Sequence, residues 1–222
     1  MPSPSAAERR ARDRQERRET ILDAAARVFG ERGPAQATME DIAEAAEVSK
    51  GTLYLYFRNK DDLFVALTHR PLDVLLSRFA QLAADDGTSG LALLEQLIDT
   101  HSDVVRAHAA HLRLGLARLC APGFAPDPDA PALTDYRARV QTVRGTYIAA
   151  IERGIADGTL RNDLVPARVA AAVWAAVFGA NFLHMNADHF EAHLPEGKRG
   201  LEAILPTLSH LILRGLAPEE GS

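Results

Sequence analysis

The sequence predicts an all-α protein, with a small N-terminal unit of three helices and a larger helical body behind it. Three observations predict this. Apolar residues recur at i, i+3, i+4, i+7 along most of the chain, and no stretch worth reading as a strand alternates apolar and polar residues. Thr38 and Ser49, both good helix caps, stand eleven residues apart and bracket two short helices with a tight turn between them. Gly and Pro punctuate the periodic runs where helices should end.

Residues 1–15 read as a basic, disordered arm. Residues 9–18 hold Arg9, Arg10, Arg12, Arg14, Arg17 and Arg18 against only Asp13 and Glu16. The whole chain has a net charge of -5, so a basic end is set on an acidic body. Such an end suits phosphates, as an arm or helix extension lying along a nucleic-acid backbone or entering a minor groove.

The first helix should run from about Glu16 to Glu31, with Ile21, Leu22, Ala25, Val28 and Phe29 inward. Gly33 suits the position just past its end, and Pro34 prevents continuation. Thr38 then caps a second helix, and Asp41 three residues on forms a capping box. Ile42, Ala43 and Ala46 make its apolar stripe, and Val48 plugs the gap before the next helix. Ser49 caps the third helix, which turns Leu53 and Phe57 inward. Lys50, Gly51, Thr52, Tyr54, Leu55 and Tyr56 are left mostly outward. Asn59 can cap a fourth helix that carries Lys60 in its first turn.

That fourth helix should continue to Leu82, kinked or split at Pro71. One or two helices follow over residues 91–119, then a proline-rich loop over 121–132. A helix over 133–156 ends before Gly158. Pro166 at a first helical position opens another that runs to about Asn186. A loop over 187–197 leads to a last helix near Lys198 to Arg214, interrupted by Pro206. The expected division is an arm at 1–15, a helix-turn-helix domain at 16–62, a helical body at 63–215 and a tail at 216–222.

Two helices with a short turn, the second showing small, hydroxylic, basic and aromatic side chains, fit a DNA major groove. The stretch resembles the helix-turn-helix of TetR-family transcriptional regulators. Thr38, Asp41-Ile42-Ala43, Ala46, Val48-Ser49-Lys50-Gly51-Thr52-Leu53-Tyr54, Tyr56-Phe57, Lys60, Leu63 and Phe64 carry the likeness. The resemblance implies a homodimeric repressor released from a pseudo-palindromic double-stranded DNA operator by a small-molecule effector. In its body it implies a C-terminal domain for ligand binding and dimerisation. Thr38, Ser49, Tyr54, Tyr56 and Lys60 are expected on phosphates. Lys50, Gly51, Thr52 and Leu55 complete the DNA-binding set, with the last three facing base edges.

The last two long helices are the expected dimer interface. Ala172, Ala176, Gly179 and Ala180 offer a small-residue face, and Leu201, Leu205, Leu208 and Ile212 a large one. Phe124, Tyr136, Tyr147, Trp174, Phe178 and Phe182 are candidates for an effector pocket, although aromatics at helical spacing more often form plain core. Few charges fall on these faces, which favours an apolar effector.

Other classes find less support. With Cys120 as the one cysteine, no internal disulfide or cysteine-based zinc site can form. His101, His108 and His111 share a helical side. His184, Asp188, His189, Glu191 and His193 cluster late in the chain, and His189 and His193 at i, i+4 would suit a metal-responsive regulator of the same architecture. Without a third fixed ligand the cluster reads as solvated histidines, and no metal or cofactor is expected. No phosphate-binding loop, G-x-S-x-G or H-E-x-x-H occurs, which argues against an all-α enzyme. The longest apolar stretch, Val169 to Leu183, is short and alanine-rich for a membrane span. With no hydrophobic leader at the start, the expected location is the cytoplasm.

Overall fold

The computed structural model describes residues 5–119, 127–193 and 197–218. Eleven α-helices follow one another among them, and no strand occurs there. They are α1 (Ala6–Gln36), α2 (Met39–Ala45), α3 (Lys50–Tyr56), α4 (Lys60–Ala66), α5 (His69–Ala83), α6 (Gly90–Ala107), α7 (Ala109–Leu119), α8 (Pro131–Ala156), α9 (Pro166–Met185), α10 (Ala187–Phe190) and α11 (Lys198–Leu216). The chain forms two compact units. The first comprises Met1–His69 and Ala110–Tyr136, and the second Arg70–Ala109 and Arg137–Ser222. The expected boundary near residue 62 thus falls after His69, and a distant segment joins the first unit.

The first unit forms around an apolar cluster that Ile21, Ala25, Val28 and Phe29 of α1 share with Ile42, Leu53, Phe57, Leu63 and Phe64. Phe29 and Phe64 stack at its centre with centroids 4.1 Å apart. The two expected caps are made: Thr38 Oγ1 accepts from Asp41 N at 3.1 Å, and Ser49 Oγ from Thr52 N at 3.0 Å. The Thr38 hydroxyl and backbone N–H also hold the Asp41 carboxyl below its usual range. The turn after α2 passes through Glu47, whose φ of 53° is left-handed without a glycine to permit it.

The arm is the largest departure. Helix α1 begins at Ala6, not near Glu16, so residues 6–15 are helical rather than disordered. Ser5 and Glu8 form a reciprocal capping box that starts it. Its far end behaves as expected, with Gly33 at φ 75° followed by a final turn at Pro34–Gln36.

The expected long fourth helix is two helices. α4 stops at Ala66, and α5 begins at His69 with Pro71 in its first turn. Because proline has no N–H to donate to the residue four back, the break sits one turn before it. Within the first unit, α7 is seated on this break. A Cβ on Gly115 would lie 2.6 Å from Thr68 Cγ2 and 2.9 Å from Phe64 O, so only glycine allows this approach. Arg118 Nε donates to Asp61 at 2.8 Å, Arg58 pairs with Asp127 at 3.2 Å, and the buried His69 ring bonds Ala132 O at 3.0 Å.

The second unit packs Leu75, Phe79, Leu94, Leu97, Ile98, Val143, Tyr147, Ile151, Val173 and Val177 together. One helix among the described residues, α9, is long and apolar enough to cross a membrane by length and composition. Ala170, Val173, Val177 and Asn181 of α9 are buried within the unit's own interior. α11 stays helical through Pro206 from Lys198, without the expected interruption. Residues 187–193, expected as loop, form α10 and a single 3-10 turn.

Candidate nucleic-acid interface

The exposed surface of α3 is built by subtraction. Leu53 and Phe57 are consumed by the core, so the residues between them must face out. Leu55 is 78% exposed and Tyr54 43%, the largest apolar and aromatic exposures among the described residues of the first unit. Nothing in the fold accounts for them. Gly51 is exposed, and a Cβ there would meet only Ser49 Oγ at 3.8 Å. The free chain would therefore accept alanine at this position. Ser49 Oγ and Thr52 Oγ1 lie 2.8 Å apart, each able to donate to the other or turn outward.

Two of the expected basic contacts are engaged within the chain. Lys50 is ion-paired with Glu40 across the α2–α3 turn, which raises the pKa of Lys50 and lowers that of Glu40. A phosphate must compete with that carboxylate. Lys60 Nζ donates to Pro34 O at 3.0 Å and Ala37 O at 2.9 Å, tying down the turn after Gly33. An ammonium has three donors, so one remains for a phosphate. Replacing Lys60 with Ala should therefore have two effects. It should lower unfolding stability by about 1–2 kcal/mol through the orphaned carbonyls, and flatten the salt dependence of DNA binding by about one unit. Urea titration and salt-series binding on Lys60→Ala check both. An unchanged urea midpoint would leave the carbonyl contacts without energetic weight.

Thr38 is exposed and Tyr56 half-buried beside α1, where the Arg14 guanidinium lies over the Tyr56 ring at 5.9 Å. Arg18 lies over Phe57 at 5.4 Å, and its Nη2 is 3.1 Å from His69 Nδ1. The start of α1 and the end of α3 are thus held side by side. Spacing alone did not reveal this pairing.

The residues expected in an effector pocket separate into different settings. Tyr147 is fully buried in the core of the second unit, against Phe79 with ring centroids 5.5 Å apart and with its hydroxyl 3.1 Å from His101 Nδ1. Trp174, Phe178 and Phe182 stack along one side of α9 at 5.4 and 6.4 Å, and Phe182 is 37% exposed. Tyr136 belongs to the first unit, and Phe124 and Cys120 lie outside the described residues. A groove of about 610 Å³ between α6 and α11 is lined by Glu95, Asp99, Arg106, Glu202 and Arg214 together with Leu91, Leu205, Pro206 and Leu213, a mixed charged and aliphatic lining that holds none of the expected aromatics.

The expected dimer faces divide as well. Ala172 is exposed and Ala176, Gly179 and Leu208 half-buried, while Ala180 is buried and Leu205 and Ile212 pack on the unit's own core. The side chain of Leu201 lies outside the described residues. Leu211, absent from the expected set, is 64% exposed and continues the outward row Ile204, Leu208. Among the described residues no group of three or more His, Cys, Asp or Glu is placed to hold a metal; His189 and His193 have ring centroids 6.2 Å apart.

Residues 21–67 match the family model of bacterial regulatory proteins, tetR family. The HTH-type transcriptional repressor KstR2 of Rhodococcus jostii is 28% identical over 148 residues, covering 67% of this chain and 70% of that protein. KstR2 of Mycolicibacterium smegmatis is 29% identical over 156 residues, covering 67% and 69%. Among solved structures, KstR2 of Mycobacterium tuberculosis, described as a ketosteroid transcriptional regulator, aligns at TM-score 0.64 and 23% identity over 91% of this chain and 96% of that one. FadR from Bacillus subtilis, solved with stearoyl-CoA, aligns at TM-score 0.68 and 19% identity over 89% and 98%.

Proposed function

Because the chain belongs to the tetR family of bacterial regulatory proteins, we propose that it is a homodimeric, ligand-responsive transcriptional repressor of the cytoplasm. Its α3 enters the major groove of a pseudo-palindromic operator. The observation that carries this reading is the pair Gly51 and Leu55: a glycine the fold does not require beside a leucine the fold does not bury. Both make sense against base edges. Gly51 lets the backbone come close, Thr52 bonds a base edge, and Leu55 covers a thymine methyl. Thr38, Ser49, Tyr54, Tyr56 and the spare donor of Lys60 hold phosphates, which set the register.

The two-fold places two α3 helices about 34 Å apart, one DNA turn. Support for the dimer comes from the outward faces of α9 and α11, where Ala172, Gly179, Leu208 and Leu211 leave apolar surface uncovered in a single chain. The effector is a small, largely apolar molecule, a reading supported by the aromatic row Trp174, Phe178 and Phe182 along α9, with Phe182 partly exposed. By linkage, effector and operator must weaken each other's binding by the same factor.

Selection of bound fragments from random DNA by the full chain tests the reading. The selected sequences should be pseudo-palindromes. In a selected half-site, uracil in place of the thymine under Leu55 should cost about 1 kcal/mol, the burial of one methyl. The reading fails if no fragment is enriched. The Leu55 contact fails if no thymine of the half-site responds.

A further inference from the structure

We propose that the N-terminal overhang of α1 is a second DNA-contact element, a rigid basic helix whose Arg10, Arg14 and Arg17 hold phosphates flanking each half-site. The proposal rests on the DNA-binding reading above and extends it to a surface outside the helix-turn-helix.

Helical geometry carries it. At about 100° per residue, Arg10, Arg14 and Arg17 at i, i+4, i+7 fall on one side of α1. The same side continues into Ile21, Ala24, Ala25 and Val28, all buried against α2–α4. The face that is core along residues 21–29 is therefore basic along 10–17, where the helix runs past the edge of its domain and every arginine of the row is exposed. Glu8, Glu16 and Glu19 fall on the opposite side together with Arg9 and Arg12, where Arg12 is paired with Glu16 at 3.2 Å, and Asp13 stands at the edge of the arginine row, three residues from Arg10 and four from Arg17. Among the described residues neither Arg10 nor Arg17 has a carboxylate partner, and Arg14 is spent only on the face of Tyr56. Charge is thus sorted by side: a self-neutralising back, and a front on which three arginines outnumber the single Asp13 at its edge.

The front is aimed by two contacts. Arg14 over Tyr56 and Arg18 over Phe57 fix the overhang beside the C-terminal end of α3. Whatever duplex α3 engages must continue past this row. Seven residues of helix span roughly 10 Å, and phosphates on one strand recur every 3.4 Å along the axis, so three arginines can follow one strand. A helix is too wide for the roughly 6 Å minor groove, which makes backbone contact outside the half-site the fitting mode.

The test uses the full chain and the duplex it selects from random DNA, once with native flanks and once trimmed to the half-sites. The variant Arg10→Gln/Arg14→Gln/Arg17→Gln should lower the slope of log affinity against log salt by about 2 to 3 units per protomer on the flanked duplex. On the trimmed duplex its slope should match the wild type. Arg9→Gln/Arg12→Gln, which removes charge from the back, should shift the slope by less than one unit. Inserting one alanine between Arg17 and Arg18 keeps every charge but rotates the row by about 100°. It should lose as much as the triple variant. Equal losses for the front and back variants would show diffuse charge and overturn the proposal. So would a wild-type slope after the insertion, which a flexible arm would give. If the wild type selects no DNA at all, the DNA-binding reading falls and this falls with it. If it binds and the triple variant binds identically, only the overhang is excluded.

Discussion

Gly90→Ala should be among the most damaging single-methyl additions to this chain, costing 3 kcal/mol or more. The usual penalty for overpacking is about 1–3 kcal/mol, because side chains can rotate out of the way. Here nothing can. A Cβ on Gly90 would lie 1.9 Å from Gly154 N, 2.2 Å from Gly154 Cα and 2.7 Å from Ala150 O. All three are backbone atoms of α8, so relief requires the two helices to part. The junction is also tied by hydrogen bonds from both helices. Gly90 N donates to Asp157 Oδ2 at 2.7 Å and Leu91 N to Thr159 Oγ1 at 3.2 Å. Arg153 donates to the carbonyls of Asp85, Thr88 and Ala83 at 3.0–3.4 Å. Parting the helices strips these bonds together. Urea unfolding of Gly90→Ala measures the loss; a midpoint within experimental error of the wild type would refute the close approach. Gly145→Ala is the matched control, since a Cβ there meets nothing within 4 Å.

Local chemistry was legible in the sequence, and distant chemistry was not. Thr38, Ser49 and Asn59 could be read as caps because a cap is a bond between residues three apart, and all three bonds are made. Gly33, Gly158 and Pro166 act as expected for the same reason: their backbone preferences act where they stand. The start of α1 was legible too, in Ser5-Ala6-Ala7-Glu8. The charge run behind that box reads equally well as a solvated tail, and the expected disordered arm follows from that run alone.

Lys60 shows the limit. Its position at a helix start suggests a phosphate, yet two of its donors serve carbonyls 26 and 23 residues upstream. No spacing rule connects those positions. Segment 110–136 likewise joins the first unit through one glycine and a few ion pairs that only the fold brings together. Periodicity also cannot say which of two apolar faces a helix turns inward. Ala180, Leu205 and Ile212, expected in a dimer interface, also pack on the chain's own core, while Leu211 of the same leucine stripe is exposed.

Acidification should unmask the one buried imidazole in the second unit's interior. His101 is nearly inaccessible, and its burial pushes its pKa down to about 4. Its Nδ1 lies 3.1 Å from the Tyr147 hydroxyl, and burial is the cause of its lowered pKa. Burial likewise pushes the Tyr147 phenol upward, so the pair is neutral across the whole working range. Unfolding returns His101 to a pKa near 6.5. Between about pH 6.5 and 4 the unfolded chain binds a proton that the folded chain refuses, so stability rises with pH. The contribution is fully present above pH 6.5, is lost as pH falls through that window, and reaches roughly 3 kcal/mol at pH 4. Several carboxylates with lowered pKa, Asp85 and Asp157 among them, also lose stability in acid, so the wild type alone cannot isolate the effect. His101→Gln can. At pH 7.5 the variant should be less stable than the wild type, because a flexible amide does not reproduce the flat ring packed beside Phe79 and Tyr147. That gap should close by roughly 3 kcal/mol between pH 7 and pH 4 as only the wild type incurs the protonation cost. Urea titrations at four pH values give the gap directly. A gap that stays constant with pH would mean that His101 is protonated in the folded chain, and that its burial beside Tyr147 is not as described.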